Sequence, residues 1–434
     1  MTLVHPYLMF RGVAHNFYTH DNVYQDVGLF PAVSDTLGYP VRNGHEIAQV
    51  NLNTGVLSND YDLSLSGYTL TIVSLVTIGT DVYALAQAAG TDGAVYLIKY
   101  DGSGTLTWQV RIEQDIYADT PAMLTTDGTS LFVSGTTAHD DGTIGNKTGF
   151  MSVFDTTGAV TKQIGLTEGT SPPVIQVLAH AVGTDGSFYV LVSSTTGYNL
   201  LKINAAGDTI VWQKQLAFAP TSKGMVLASD GLVLIGADTA DTTNHRKVCT
   251  KIAFDGTTTW RRITYNGTTP SEEYSFNQLA IDASGFVYIG ASVNNARKDN
   301  CWIQYNAAGS YRLARWFVDV ALANSPQITA LGVSLPAVSL ALSEAVSGKT
   351  MLTSFPSDGT KVPRVLDFGD GYTVNYQLNN PTGVGRAEGN ALASLIDSDS
   401  TEVTLEAASL TVTAGAIAIG AGTTYSDFTA PVTF

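Results

Sequence analysis

Along most of the chain, apolar and polar residues alternate over short stretches, and clusters of Gly, Asp, Ser and Asn interrupt the alternation. A period of two is the signature of half-buried strands, and no stretch holds the 3.6-residue period of an amphipathic helix. The alternation comes in repeated units. Tyr96–Trp108, YLIKYDGSGTLTW, is a strand, a glycine turn and a second strand that carries Trp. Leu200–Trp212, Val248–Trp260 and Cys301–Trp316 repeat it, Phe150–Lys162 and Met351–Val365 repeat it without Trp, and Ile47–Leu57 is a further copy. The turn glycines are Gly55, Gly104, Gly158, Gly207, Gly256, Gly309 and Gly359, at successive spacings of 49, 54, 49, 49, 53 and 50. Tight hairpins require φ > 0 at such positions, which glycine supplies without steric cost.

A second hairpin precedes most copies, as in Met123–Gly135, Met225–Gly236 and Leu279–Gly290, with looser versions at Val76–Leu85 and Val182–Val192. Four short strands per repeat predict an all-β fold, a β-propeller of about seven four-stranded blades. Runs such as LVLIG and FVYIG are apolar throughout, as expected of strands whose two faces both pack on neighbouring blades. Ile47–Leu57 has no first hairpin before it, and Leu395–Ala407 has that pattern after the last full copy. The two halves predict one blade closed between the N- and C-terminal parts of the chain, which removes two exposed edges; six blades with separate terminal strands is the alternative. The predicted organisation is an aromatic-rich arm at 1–45, a propeller at 46–409 and a strand or tail at 410–434.

The units resemble the bacterial β-propeller repeat of the SBBP type, best in Ala280–Ser292 (AIDASGFVYIGAS) and Leu97–Gln109 (LIKYDGSGTLTWQ). The resemblance spans roughly residues 67–368 and implies fold, not function. It departs where the Gly158 and Gly359 copies lack Trp. The Trp hairpins also resemble blades of pyrroloquinoline quinone enzymes, but the sequence offers no counterpart of a cofactor site, and no cofactor is expected. The texture of TLEAASLTVTAGAIAIGAGTTYSDF resembles phage tail and capsid accessory proteins.

Composition narrows the function classes. Only 14% of the 434 residues are charged and the net charge is −16, so the basic footprint that phosphates demand is missing and no nucleic-acid partner is expected. No Lys or Arg follows Arg386, while Glu388, Asp397, Asp399, Glu402, Glu406 and Asp427 do, which reads as a solvated rim or as a docking surface for a basic partner or cation. No apolar run reaches membrane-spanning length, so no membrane insertion is expected. MTLVHPYLMFRGVAHNFYTH lacks a basic segment followed by an apolar run, so a signal peptide is not expected either. Cys249 and Cys301 are the two cysteines, too few for a disulfide scaffold and expected as free structural thiols.

The search for chemistry is largely negative. Asp101–Trp108 and Asp255–Trp260 are near misses of the sialidase Asp-box and read as turn plus core Trp. Glycosidase carboxylates would have to come from connecting stretches, such as Glu272, Glu273, Asp140 and Asp141. His5, His15, His20, His45, His139, His180 and His245 form no HExxH set, and the acidic run Asp397–Glu402 lacks the glycine and terminal Glu of an EF-hand, so no metal is expected. The chain carries no GxSxG elbow, Walker loop or dinucleotide fingerprint, and catalytic residues are expected to be absent.

The terminal arms are the distinctive features outside the repeat. Exposing large apolar side chains costs roughly 1.5–3 kcal/mol each, so the aromatic arm must bury itself on its own propeller or on a neighbour. The interface candidates are Tyr7, Phe10, Phe17, Tyr18, Tyr24, Phe30 and Tyr39, with Tyr425 and Phe428 in the tail. The expectation is a non-enzymatic structural or attachment component of a phage virion (tail, nozzle, fibre or capsid decoration). Its partners would be other virion proteins or copies of itself, with a host surface glycan as a further candidate. A carbohydrate-binding or carbohydrate-active propeller and a cytoplasmic interaction scaffold are the alternatives.

Overall fold

A computed structural model of the chain describes residues 37–38, 41–42, 46–51, 57–63, 69–89, 94–112, 120–137, 148–168, 175–195, 197–239, 247–264, 273–294, 300–317, 327–334, 337–343, 350–356, 364–367, 417–419 and 428–429. Strands and tight turns account for these residues, and no helix occurs among them. The chain begins with β1 (Leu37–Gly38), β2 (Val41–Arg42), β3 (Glu46–Asn51) and β4 (Leu57–Asp62). The first full sheet is β5 (Thr69–Ile78), β6 (Asp81–Ala89), β7 (Val95–Tyr100) and β8 (Leu106–Ile112). The second is β9 (Thr120–Thr126), β10 (Ser130–Thr137), β11 (Thr148–Asp155) and β12 (Val160–Glu168). The third is β13 (Gln176–Val182), β14 (Phe188–Ser194), β15 (Gly197–Ile203) and β16 (Ile210–Leu216). The fourth is β17 (Phe218–Ala228), β18 (Gly231–Asp238), β19 (Lys247–Ala253) and β20 (Thr258–Thr264). The fifth is β21 (Glu273–Ile281), β22 (Val287–Asn294), β23 (Asn300–Tyr305) and β24 (Tyr311–Phe317). The sixth is β25 (Gln327–Ser334), β26 (Ala337–Ser343), β27 (Thr350–Pro356) and β28 (Arg364–Asp367). Two short strands, β29 (Ile417–Ile419) and β30 (Phe428–Thr429), follow.

Each full sheet is an antiparallel meander in chain order. Its first strand packs on the first strands of neighbouring sheets, β9 on β5 and β13, and β17 on β13 and β21. These innermost strands therefore surround an axis, which defines a β-propeller. The core is a series of layers, each shared by consecutive sheets. Leu191 and Leu200 of the third pack with Leu232 and Leu234 of the fourth, and Cys249 and Trp260 of the fourth pack with Ile289 and Tyr305 of the fifth. Ile47 and Leu63 pack on the first sheet in the same way, so the small N-terminal sheet continues the series. Both faces of a sheet are buried, which accounts for runs of consecutive buried residues such as Leu232–Ile235.

The turn glycines behave as the repeat requires. Gly104, Gly158, Gly207, Gly256 and Gly309 all have φ near +80° to +90°, and Gly55 and Gly359 lie outside the described residues. Each outermost strand of the first five sheets skips one residue of register, at Thr107, Thr161, Val211, Thr259 and Arg312. Val211, the most exposed large apolar residue described, is one of these bulges. A bulge twists the outer edge away from flat pairing with another chain.

Three expectations change. Trp316 is not the equivalent of the other repeat tryptophans. Trp108, Trp212 and Trp260 pair with Lys99, Lys202 and Lys251, but the matching Gln304 pairs with Leu313, and Trp316 lies opposite Cys301. The closing partner of β3 is also different. β4 covers one edge of β3, and β1 and β2 share the other end to end, so the edge expected to receive Leu395–Ala407 is taken by residues of the N-terminal arm. Leu395–Ala407 itself lies outside the described residues. The tail, finally, is part of two blades: β29 adds a fifth strand to β12, and β30 adds one to β8.

Candidate functional site

Two regions gather polar chemistry. The first is the face that carries the first and third turns of the first five full blades. In an antiparallel meander the first and third turns fall at the same end, so their aspartates share one face. Most of these carboxylates hold the turns themselves. Asp101 Oδ1 accepts from the amides of Ser103 and Thr105 at 2.9 Å, and Asp155 and Asp255 accept in the same way from Thr157 and Thr257. Hydroxyl bonds from Ser103 and Thr157 hold Asp101 and Asp155 below the usual carboxylate range, and the Thr257 amide does so for Asp255. Others are paired with lysines from the third strand. Lys99 binds Asp81 at 2.8 Å, Lys202 binds Asp185 at 3.4 Å and Lys251 binds Asp230 at 2.6 Å. Lys99 and Lys202 also lie over the rings of Tyr83 and Tyr189. Burial pushes both phenols up. Both Asp-box near misses are thus turn caps, each followed by a packed Trp.

The tryptophans latch blade to blade. Trp108, Trp212 and Trp260 Nε1 donate to the carbonyls of Thr156, Phe254 and Ala307, in the third turn of the next sheet, at 3.1–3.2 Å. Where the repeat lacks Trp, Lys162 donates to the corresponding carbonyl, Ala205.

The second region is the axis. Five innermost strands slip register by a single residue: Val73, Ala122, Leu178, Asn277 and Thr329. In β17 the same place holds four residues, Thr221–Gly224, opposite the lone Ile235. This finger reaches two other blades. Thr221 Oγ1 donates to the Phe276 carbonyl at 3.0 Å, and Lys223 Nζ donates to the Val73 carbonyl in the first blade. Lys223 is the single non-glycine residue with positive φ among those described, at 61°. Such backbone costs about 1–3 kcal/mol outside glycine. Desolvation lowers its pKa to about 8. Ser222 at the tip is exposed and Lys223 is partly buried. Thr221–Gly224 carries no apolar alternation and matches no repeat position, so nothing in the sequence pattern marks the finger.

His180 of β13 is fully buried between the second and third blades. Its Nδ1 lies 2.7 Å from Ser134 Oγ and its Nε2 2.6 Å from Thr125 Oγ1. Burial lowers its pKa to about 3, so it is neutral.

Among the expected interface residues, Phe428 is placed, in β30 opposite Ile112 of its own chain. Tyr7, Phe10, Phe17, Tyr18, Tyr24, Phe30, Tyr39 and Tyr425 lie outside the described residues, as do Asp140, Asp141, Glu272, Asp397–Glu402 and the histidines other than His180. Glu273 opens β21. Cys249 is buried and forms no disulfide. Among the described residues no three metal-ligating side chains come together.

Solved structures were compared with the chain. The β-propeller domain of Myceliophteria thermophila Cps50 (Swd1) is 14% identical, with a TM-score of 0.50 over 77% of this chain and 97% of that domain. Quinohemoprotein alcohol dehydrogenase ADHIIG from Pseudomonas putida HK5 is 12% identical, with a TM-score of 0.47 over 78% of this chain and 66% of that one. BamB from Moraxella catarrhalis is 14% identical, with a TM-score of 0.42 over 77% and 86%. The first likeness supports the fold, and at these identities none speaks for function. No protein-family model and no curated protein matches the sequence.

Proposed function

We propose that the chain is a non-enzymatic structural or attachment component of a phage particle, presenting a β-propeller and docking through its terminal segments. The observation that carries this reading is the pairing of β29 and β30 with the outer edges of β12 and β8. Backbone addition at a sheet edge is a general way to join chains, because main-chain hydrogen bonds supply affinity without a specialised pocket. Among the described residues no fifth strand covers the equivalent edges of β16, β20 and β24. Low charge and an aromatic N-terminal arm fit a chain that buries its ends against neighbours. Copies of the chain and other virion proteins are the partners. The test is gradient sedimentation of particles from an infected lysate, with the chain followed by antibody. Co-migration with particles is expected. A chain that stays monomeric at all concentrations and never enters the particle fraction overturns the reading.

A further inference from the structure

The axial finger breaks the internal symmetry of the ring. Five innermost strands carry a one-residue bulge, and one carries Thr221–Gly224. Two costs converge on its third residue. Lys223 adopts a backbone conformation that favours glycine, and its ammonium is placed where desolvation disfavours the charge. In return, its ammonium donates to one backbone carbonyl, that of Val73. An apolar side chain would fill the same space without the desolvation cost, and an ammonium has three donors. Strain and desolvation kept together on one residue, beside the exposed Ser222, are the pattern of a recognition residue.

We propose that the Thr221–Gly224 finger is a binding site for a small oxyanion, a carboxylate or a phosphate group, with the Lys223 ammonium as its recognition group. A charge-assisted bond to an anion replaces or joins the bond to the Val73 carbonyl and is strengthened by the low local dielectric. Thr221 and exposed Ser222 precede Lys223 in the finger and bring two more hydroxyls to the same segment. The net charge of −16 opposes long-range attraction of an anion, so recognition here acts at short range.

The experiment measures the thermal midpoint of the full chain in rising inorganic phosphate, and separately in acetate, with ionic strength held constant by sodium chloride. A saturable rise with one or both anions is expected, since a ligand that binds only the folded state stabilises it. The anion that gives the rise identifies the source of the oxyanion. Lys223→Met is expected to abolish the anion-dependent rise while raising the midpoint in chloride alone, because the desolvation cost is gone. Lys223→Arg keeps the charge and is expected to keep the rise, which holds the test open if the Met variant does not fold. No anion-specific rise in the wild type, or an equal rise in Lys223→Met, overturns the site. A lower midpoint for Lys223→Met in chloride assigns Lys223 as a cross-blade strut and overturns it too. None of these readouts depends on particle association.

Discussion

Gly309 lies under Trp260, whose Nε1 reaches the Ala307 carbonyl two residues earlier, and a Cβ there would come within 2.6 Å of the indole. Gly128 has a similar φ, +90°, but open space where its Cβ would go. The pair separates backbone strain from packing. Gly128→Ala is expected to cost about 1 kcal/mol through strain alone, and Gly309→Ala about 2–4 kcal/mol because the latch must also move. Urea unfolding of both variants checks the difference. The glycine and Trp of this latch were visible in the sequence because they recur at fixed spacing. Lys162 was not, because an amine shares with an indole only a donor that reaches the same carbonyl, and no residue-type pattern records that. Trp316 misled for the opposite reason: the right residue type stood three positions beyond the paired site, which Leu313 fills. His180 gives a second expectation at this scale. Its folded pKa of about 3 lies below its ordinary 6.5, so the unfolded chain takes up the proton first. Its contribution is therefore complete above pH 6.5 and is lost as pH falls toward 3. Between pH 6.5 and 4.5, unfolding free energy should fall by about 2–3 kcal/mol, and this slope should be largely missing in His180→Gln. A slope unchanged in the variant would place the titrating group elsewhere.

Strand existence was legible almost throughout, since alternation and turn glycines mark both hairpins of each repeat. Strand partnership at the chain's ends was not. Leu395–Ala407 has the hairpin pattern, but any alternating segment can serve any free edge, and the edge of β3 is filled by Leu37–Gly38 and Val41–Arg42. Segments of two residues are too short to show a period at all, so nothing in the sequence pattern marks β1 and β2 within the aromatic arm. The same limit hid β30, and it hid the finger, whose four residues interrupt β17 without any apolar signature. The added strands have a local consequence. Deleting residues 410–434 removes β29 and β30, which bares the outer edges of Leu166–Glu168 and of Arg111 and Ile112. Hydrogen exchange should accelerate at those edge amides that the tail's carbonyls accept, with the third and fourth blades unchanged. Uniform acceleration would mean that the tail supports the whole ring.

Among the described residues the apolar core is spread over layers between consecutive blades, and each of the first four full blades belongs to two of them. Cut free, a blade would expose both faces, so no blade is a folding unit. A linear array of such units gains stability from nearest-neighbour interfaces and can lose cooperativity when one interface weakens. The links described here argue for stronger coupling. Each latch ties a blade to its successor, and the finger joins the fourth blade to the first across the axis, skipping the two between them. Leu191 is fully buried in the layer between the third and fourth blades. Leu191→Ala is expected to cost about 2–5 kcal/mol. Its effect should be global: Trp fluorescence and far-UV circular dichroism should shift to the same lower urea midpoint, with the transition still single. Repeating the measurement in Lys223→Met tests the cross-axis link. With Lys223 serving recognition rather than as a strut, Leu191→Ala in that background should leave the transition single; a split or broadened transition would mean that the finger couples the ring, because the weakened interface could then open while the first two blades stay folded. Coincident transitions in both backgrounds would assign the cooperativity to the interblade layers and latches alone.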